Sequence, residues 1–256
     1  MTDAVWVGRL PQDVAARRFA EKVVRGTMLR IIRAIPARKI RLLIFDLDGS
    51  LVDSQVDLAN AINAMLRHYG RPELPVELIA GYIGDGAPKL VSRALGEPHD
   101  EPFEREAVQY FMAWYREHKL DHTYVYPGMV AALDRLHRNG NGRERKMAVL
   151  TNKPVNASRG IVEGLGLGKY FFQVYGGNSF PSKKPDPFGA LQLAQEAGVE
   201  PGETVILGDS QNDVLTARSA DMWSVGLTYG FSPQTLEIAA PDVLVDQPEE
   251  IPLIFE

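Results

Sequence analysis

Six short apolar runs alternate with stretches of helical periodicity between residues 41 and 246. Runs this apolar, bounded by turn-forming or polar residues, are typical of strands that are buried on both faces of a sheet. The stretches between them often end in glycine, as helices do. The runs are LLIF (42–45), MAVL (147–150), FFQVY (171–175), TVIL (204–207), WSVGL (223–227) and DVLV (242–245). This alternation predicts an α/β fold with a doubly wound, Rossmann-like parallel sheet and helices on both of its faces.

Residues 55–124 interrupt this alternation, because they contain no strong strand signal. Three helical stretches account for most of the segment, namely VDLANAINAMLRHYG, PVELIAGYIGDGAPKLVSRALG and EREAVQYFMAWYREHKLD. Insertions of this kind in an α/β core often act as lids over a site. We therefore predict a core formed by residues 41–54 and 125–256, with a helical cap at residues 55–124.

The first 40 residues differ from the rest of the chain, with nine Lys or Arg residues against three acidic ones. Their apolar residues recur at roughly helical spacing, which predicts a basic, helical N-terminal extension. Two interpretations remain open. The helix either contacts a membrane surface or a partner chain, a second copy of this protein included, or it packs one face on the core and leaves the other solvated.

The overall composition limits the classes of function. A net charge of −5 gives no global indication of nucleic-acid binding. The chain has no cysteine, which excludes disulfides, thiolate catalysis and cysteine-ligated zinc. No apolar run approaches the roughly 18 residues that a membrane-spanning helix needs, and the layout of a signal peptide is lacking. We expect a cytoplasmic protein without a membrane span.

Polar side chains follow three of the predicted strands at the point where each strand ends. They are Asp46 and Asp48 after LLIF, Thr151 and Asn152 after MAVL, and Asp209 and Asp213 after TVIL. Ligands of open parallel sheets bind beyond the carboxyl ends of the strands. We therefore expect these side chains to form one site from distant parts of the chain.

The charges of this site indicate what it binds. Four aspartates close together would repel one another and raise their own pKa values, and a hard divalent cation resolves this. Carboxylate and carbonyl oxygens suit Mg²⁺, which usually shares its ligand shell with a phosphate. A nearby lysine pair, Lys183 and Lys184, offers a cation for a phosphate oxygen or a carboxylate. The sequence therefore predicts a site for Mg²⁺ and a small phosphorylated metabolite.

Four ordered motifs of the chain resemble those of the haloacid dehalogenase-like hydrolase superfamily. They are Asp46-Leu47-Asp48-Gly49, Thr151-Asn152, Lys184-Pro185 and GDSQND (208–213). The resemblance spans residues 41–246, and the helical insert resembles the family's cap. Within the superfamily, GYIGDGAPKLVSRAL, VYPGMVAALDRL, LTNKP and SKKPDP look most like bacterial phosphoglycolate phosphatases. Ser50 departs from the usual threonine but keeps its hydroxyl.

The resemblance implies catalytic roles for the aspartates. Asp46 would attack phosphorus and form an aspartyl-phosphate, and Asp48 would protonate the leaving oxygen and later accept a proton from water. Mg²⁺ would bind the Asp46 side chain, the Asp48 backbone carbonyl and Asp209. Asp213 would be an outer ligand of the metal or the partner of Lys184.

The resemblance also implies a phosphoryl-binding set. Thr151, Asn152 and Lys184 would hold the phosphoryl oxygens while their charge redistributes, and the backbone N–H groups of Leu47 and Asn152 would add donors. Lys184 precedes proline as the family pattern has it, so its neighbour Lys183 is interpreted as a solvated side chain.

Substrate selection is expected in the cap. The turn at Gly84, Asp85 and Gly86 either faces the substrate or joins two helices, and both interpretations remain open. Lys89 and Arg93 lie one helical turn apart on the same face. They would either meet a substrate carboxylate or remain surface charges.

These observations favour a Mg²⁺-dependent phosphomonoesterase that hydrolyses a small anionic metabolite, most specifically 2-phosphoglycolate. A phosphosugar mutase is the first alternative, because the same aspartates would then return the phosphoryl group to a sugar. Another alternative keeps the phosphatase chemistry on pyrophosphate, a nucleotide or a sugar phosphate. A phospho-aspartate receiver-type signalling module represents a different class, but the helical insert and the spacing of Asp209 and Asp213 disfavour it.

Overall fold

The structure is a computed structural model that describes residues 20–24, 27–138 and 145–256. Its strands are β1 (Ala20–Val24), β2 (Thr27–Ile31), β3 (Leu42–Phe45), β4 (Val52–Asp53), β5 (Tyr124–Val125), β6 (Lys146–Leu150), β7 (Gln173–Tyr175), β8 (Thr204–Gly208), β9 (Trp223–Leu227) and β10 (Val243–Val245). Its α-helices are α1 (Gln55–His68), α2 (Val76–Ala80), α3 (Ala87–Ala94), α4 (Glu101–His118), α5 (Met129–Arg138), α6 (Val155–Gly164), α7 (Phe188–Ala197), α8 (Gln211–Ser219) and α9 (Gln234–Ala239). Within those ranges, no helix is both long enough and apolar enough to cross a membrane.

All six apolar runs form strands of one eight-stranded sheet, with the order β1-β2-β10-β9-β8-β3-β6-β7. The strands from β10 to β7 are parallel to one another. The strand order reverses around β3, which lies between β8 and β6 and leaves a crevice beyond its carboxyl end. The predicted α/β fold with a Rossmann-like sheet is confirmed.

Strand β3 shows why these runs must be apolar throughout. Leu43 and Phe45 pack into a hydrophobic cluster on one face of the sheet, while Leu42 and Ile44 pack into a second cluster on the other face. All four side chains are fully buried. Burial of each contributes about 1.5–3 kcal/mol, so a polar residue at any of these positions would weaken one of the two layers.

The predicted N-terminal helix is wrong for the part of the segment that the structure describes. Residues Ala20–Val24 and Thr27–Ile31 form two antiparallel strands, β1 and β2, and β2 pairs antiparallel with β10. Strand β10 would otherwise be an edge with unpaired backbone groups, and the Val, Ile and Thr residues of the segment favour a strand there. The prediction for residues 1–19 falls outside the described residues.

Helices α1–α4 form a separate helical unit, residues 55–118, with a hydrophobic cluster of its own. Phe111 and Tyr115 of α4 are among its largest buried side chains. The unit leaves the core after β4 and returns through β5, and these two short strands pair with each other. The segment is helical as predicted, although it contains four helices instead of three helical stretches. Its assignment as a cap remains a proposal.

Candidate active site

Three neighbouring parallel strands end at one edge of the sheet. Asp46 follows β3, Thr151 follows β6 and Asp209 follows β8, and β3 lies between the other two. Together with Asp48 and Asn152, these side chains line one cavity between the sheet and the helical unit. The structure therefore brings together the residues that the strand ends predicted.

A tight turn directs the two aspartates of the first motif. The backbone N–H of Asp46 still donates to Leu207 O at 2.9 Å, so Asp46 continues the register of β3. Gly49 then adopts a φ of +77°. A Cβ at this position would lie 2.4 Å from Asp209 Oδ2. Glycine is therefore required both for the backbone conformation and for the approach of Asp209.

A buried lysine links two of the predicted acids. Lys184 Nζ lies 2.9 Å from Asp46 Oδ1 and 2.6 Å from Asp213 Oδ1, and all three side chains are nearly inaccessible. Burial alone would lower the pKa of Lys184, but the carboxylates of Asp213 and Asp46 raise it above its ordinary value. Lys184 is therefore a permanent cation that offsets part of the acidic charge.

The carboxylates of Asp46, Asp209 and Asp213 offer oxygens that lie within 4.8 Å of one another. Burial raises the pKa of Asp46 to about 6, against the opposing charge of Lys184. Burial, together with the charges of Asp46 and Asp213, also raises the pKa of Asp209 well above its usual range. The single positive charge of Lys184 therefore does not balance the negative charge of the three aspartates. This surplus favours the binding of a cation.

Hydrogen bonds show which oxygens of the cluster are available. Asp213 Oδ2 accepts from the N–H and the hydroxyl of Ser210, and Asp209 Oδ2 accepts from the N–H groups of Phe231 and Ser232. Asp46 Oδ1 pairs with Lys184 Nζ at 2.9 Å and has no further hydrogen-bond partner among the described residues. Asp46 and Asp209 are thus better placed than Asp213 to bind a cation.

Asp48 has partners that the motifs did not predict. Lys153 Nζ donates to both carboxylate oxygens of Asp48, at 3.0 and 2.9 Å, and the Ser54 hydroxyl donates to Asp48 Oδ1 at 2.6 Å. Burial would lower the pKa of Lys153, but the charge of Asp48 raises it. Lys153 stands inside LTNKP, so a cation directly after Thr151 and Asn152 was the available signal.

The cavity has two unlike walls and a volume of about 50 Å³. The wall formed by the core is polar and carries the aspartates. The wall formed by the helical unit is apolar apart from Tyr115 and the turn glycines. Its apolar side chains are Leu58, Ile83, Ala87, Leu90, Phe111 and Met112. This division excludes water from one side of the polar groups and leaves room for a small ligand only.

The sequence comparisons place this site in a known family. The family model described as haloacid dehalogenase-like hydrolase matches residues 43–227. The chain belongs to this family. Phosphoglycolate phosphatase 1 of Pseudomonas aeruginosa is 41% identical over 213 residues, which cover 80% of this chain and 76% of that protein. The phosphoglycolate phosphatase of Chromobacterium violaceum is 40% identical over 199 residues, covering 76% and 88% of the two chains.

A solved structure agrees with these relatives. The crystal structure of a predicted phosphoglycolate phosphatase from Haemophilus somnus superimposes with a TM-score of 0.78 at 31% identity. The superposition covers 85% of this chain and 99% of that one. The resemblance that the four motifs indicated is therefore confirmed. Membership of a hydrolase family also removes the receiver-type signalling module from the alternatives.

The oxygen atoms of this family member fit a divalent cation. The ligand atoms that the cluster offers are carboxylate oxygens only, which hard cations prefer over soft ones. One lysine pairs with two of the three carboxylates, so the cluster keeps a surplus of negative charge, and buried charge is costly unless something binds it. The predicted use of a metal thus agrees with the chemistry of the residues that are present.

Asn152 has a different local role from the one the resemblance implied. Its side-chain Nδ2 donates to Gly84 O at 2.9 Å and to Lys184 O at 3.0 Å, which uses both amide hydrogens. Its side chain therefore ties the core to the turn of the helical unit, and only its backbone N–H is left as a candidate donor to phosphate. Its Oδ1 is buried without a hydrogen bond.

The turn at residues 84–86 docks on the core. Lys183 Nζ donates to Asp85 O at 2.5 Å, and Asn212 Nδ2 donates to Asp85 Oδ1 at 3.0 Å. Lys183 is exposed, in agreement with its interpretation as a solvated neighbour, and it also contacts the turn of the helical unit. A Cβ on Gly86 would lie 2.9 Å from Asn152 O, so this glycine permits the close approach.

The two cations of α3 do not line the cavity. Lys89 is exposed, and Arg93 donates to Asp85 Oδ2 at 2.6 Å and to Tyr82 O at 3.0 Å. Partial burial would raise the pKa of Asp85, but its hydrogen bonds with Asn212 and Arg93 lower it. Arg93 thus holds the docking turn in shape, and the structure does not bring either cation to the position of a substrate carboxylate.

Proposed function

We propose that this protein is a Mg²⁺-dependent phosphoric monoester hydrolase that converts 2-phosphoglycolate to glycolate and phosphate. The observation that carries the chemistry is the Asp46 carboxylate, which is buried, lines a small cavity beside Asp48 and pairs with Lys184 at 2.9 Å. Relatives that are named phosphoglycolate phosphatase support the choice of substrate.

In the first step, a carboxylate oxygen of Asp46 attacks phosphorus and the bond from phosphorus to the glycolate oxygen breaks. Asp48 takes up a proton when the substrate binds and gives it to that leaving oxygen, so glycolate departs with a hydroxyl group at this position. The products of this step are the aspartyl-phosphate of Asp46 and free glycolate. Phe111 and the other apolar residues of the helical unit exclude bulk water from the reaction.

In the second step, a water molecule attacks phosphorus and the bond to Asp46 breaks. Asp48, which has lost its proton, accepts one from this water, and phosphate and both starting carboxyl groups are regenerated. Ser54 and Lys153 keep Asp48 at the cavity during both steps through their hydrogen bonds. The proton balance therefore closes within the two aspartates.

The charge on the phosphoryl group would be held by groups from the end of β6 and from the loop after β7. Lys184, the Thr151 hydroxyl and the backbone N–H of Asn152 would bind its oxygens. Asp46, Asp209 and the backbone carbonyl of Asp48 would hold Mg²⁺, with Asp213 on the outer side. When bound, the metal neutralises phosphoryl oxygens and thereby lets two anions approach each other.

The cavity favours this small substrate over larger phosphate esters. A sugar phosphate would place several hydroxyl groups against the apolar wall of the helical unit, where they would lack hydrogen bonds. The volume of about 50 Å³ also disfavours a nucleotide. This argues against the phosphosugar mutase alternative, because that reaction requires the sugar to bind in two orientations.

The proposal is tested by measuring phosphate release from 2-phosphoglycolate, hexose phosphates, nucleoside monophosphates and pyrophosphate, with Mg²⁺ and with a chelator. We expect the highest kcat/KM for 2-phosphoglycolate, no turnover with the chelator and none in Asp46→Asn. The matched control is Asp121→Asn, which changes an exposed aspartate that pairs with His118 outside the site.

Two outcomes would overturn the proposal at different levels. Turnover without a metal, or an active Asp46→Asn protein, would contradict the mechanism. A kcat/KM for 2-phosphoglycolate that is no better than those of the other substrates would contradict the substrate and leave the hydrolase chemistry in place.

A further inference from the structure

We propose that Lys153 and the Tyr115 hydroxyl form a subsite that binds the carboxylate of the substrate, at the end opposite its phosphoryl group. The inference rests on the proposed function, because it assumes an anionic substrate in the cavity beside Asp46. It replaces Lys89 and Arg93, neither of which lines that cavity.

Lys153 has the charge that a carboxylate requires. It is the only Lys or Arg among the described residues that line the cavity. Its two contacts with Asp48 use at most two of the three N–H bonds of the ammonium. At least one N–H thus remains, and the Tyr115 hydroxyl and an oxygen of the ligand can share it. Lys153 is almost fully buried, so an anion that meets it displaces little competing solvent.

Tyr115 offers the second donor. It lies near the end of α4, its side chain is 1% exposed and it lines the cavity. Its hydroxyl has no hydrogen bond of suitable geometry among the described residues, although the Lys153 ammonium lies close enough to lower the pKa of Tyr115 against the effect of burial. Burial raises the pKa of Tyr115 to about 12, so the hydroxyl is a protonated donor at neutral pH. A buried hydroxyl without a well-formed hydrogen bond is unfavourable unless a ligand accepts a hydrogen bond from it.

The two donors are neighbours, although they come from different parts of the fold. Lys153 Nζ lies 4.6 Å from the centroid of the Tyr115 ring. Lys153 belongs to the loop after β6, whereas Tyr115 belongs to the helical unit. Tyr115 is the only polar side chain that this unit contributes to the cavity wall. The subsite therefore exists only while the helical unit covers the core.

Two other roles for these residues make different predictions. If Lys153 bound the phosphoryl group, or if the pair served only to position Asp48, the loss of either side chain would affect every phosphate ester equally. A carboxylate subsite instead affects only substrates that carry the carboxylate. The comparison of two substrates of equal length separates these roles.

The experiment measures kcat/KM for 2-phosphoglycolate and for ethyl phosphate, which has a methyl group in place of the carboxylate. In Tyr115→Phe we expect the ratio of the two values to fall about tenfold, the effect of one lost hydrogen bond to a charged group. In Lys153→Gln we expect both values to fall, because Asp48 loses its partner, and their ratio to fall further than in Tyr115→Phe. Tyr110→Phe on the same helix is the control, since Tyr110 does not line the cavity.

The outcomes separate this inference from the proposed function. A wild-type enzyme that does not prefer 2-phosphoglycolate over ethyl phosphate would overturn the proposed substrate, and the inference with it. A wild-type preference that survives unchanged in both variants would overturn the subsite alone. Equal losses on both substrates would assign the pair to Asp48 or to the phosphoryl group and would overturn it as well. Thermal unfolding of each variant verifies that the fold is retained.

Discussion

The two walls of the cavity differ in polarity. The core wall carries three aspartates and one lysine, Lys153, and each of these charges has a partner of opposite sign or a hydrogen bond. The wall of the helical unit is apolar and contributes a single hydroxyl, that of Tyr115. Under the proposed function, the core would supply the reaction chemistry, whereas the helical unit would supply exclusion of water and choice of substrate.

The largest expected effect tests the core wall through Lys184. In Lys184→Met, Asp46 and Asp213 lose the cation between them, and a phosphoryl oxygen loses its counter-charge. We expect kcat to fall by roughly 10² or more, as for other lost oxyanion donors. The free energy of unfolding should fall by about 3–5 kcal/mol, because buried charges are left unpaired. Steady-state kinetics and chemical denaturation measure the two effects.

The neighbouring lysine is the matched control for this prediction. Lys183 donates to Asp85 O at the outer rim, so Lys183→Met should change the free energy of unfolding by no more than about 1 kcal/mol. If Lys183→Met and Lys184→Met lost the same activity, the division between an active core wall and a docking rim would be wrong.

A second prediction concerns the pH dependence of the acidic cluster in the metal-free protein. The pKa of Asp46 is about 6 in the folded state, against 3.8 for an ordinary carboxyl. Between these values the folded protein binds more protons than the unfolded one, so this group stabilises the fold at low pH. That contribution is lost as the pH rises through about 6, and it amounts to at most about 3 kcal/mol.

Chemical denaturation from pH 4 to pH 7 measures this effect, with a chelator present. The free energy of unfolding of the wild type should decrease with rising pH relative to that of Asp46→Asn, which has no charge to lose or gain. Parallel pH curves for the two proteins would show that the Asp46 carboxyl does not titrate in this range.

The smallest expected effect tests how the helical unit is held on the core. Asp85→Ala removes the contacts with Asn212 and Arg93. We expect KM for 2-phosphoglycolate to rise a few-fold, with little change in kcat, because the half-exposed ion pair is worth about 0–1 kcal/mol. Lys89→Gln changes an exposed residue of the same unit and should leave both constants unchanged. A larger loss of kcat in Asp85→Ala would show that docking also serves the chemistry.

Sequence patterns predicted the core wall much better than the wall of the helical unit. Asp46, Thr151 and Asp209 were found because strand ends of a parallel sheet must meet, whatever the rest of the fold does. Lys89 and Arg93 were left open between substrate contacts and surface charges, and neither lines the cavity. The face that a helix of this unit turns to the cavity depends on its packing. Lys153 was overlooked for a similar reason, since its contact with Asp48 spans 105 residues.

The amino-acid sequence by itself determined the buried sheet and its reactive edge. A strand covered on both faces tolerates only apolar residues, and a glycine is the residue that fits the turn after Asp48. The tertiary structure alone decided the remaining features. The open edge of β10 turned a segment with helical spacing into strands β1 and β2, because paired backbone groups outweigh a weak periodicity. The approach of α4 to the core placed Tyr115 beside Lys153, and no local pattern encodes the distance between two separately folded surfaces.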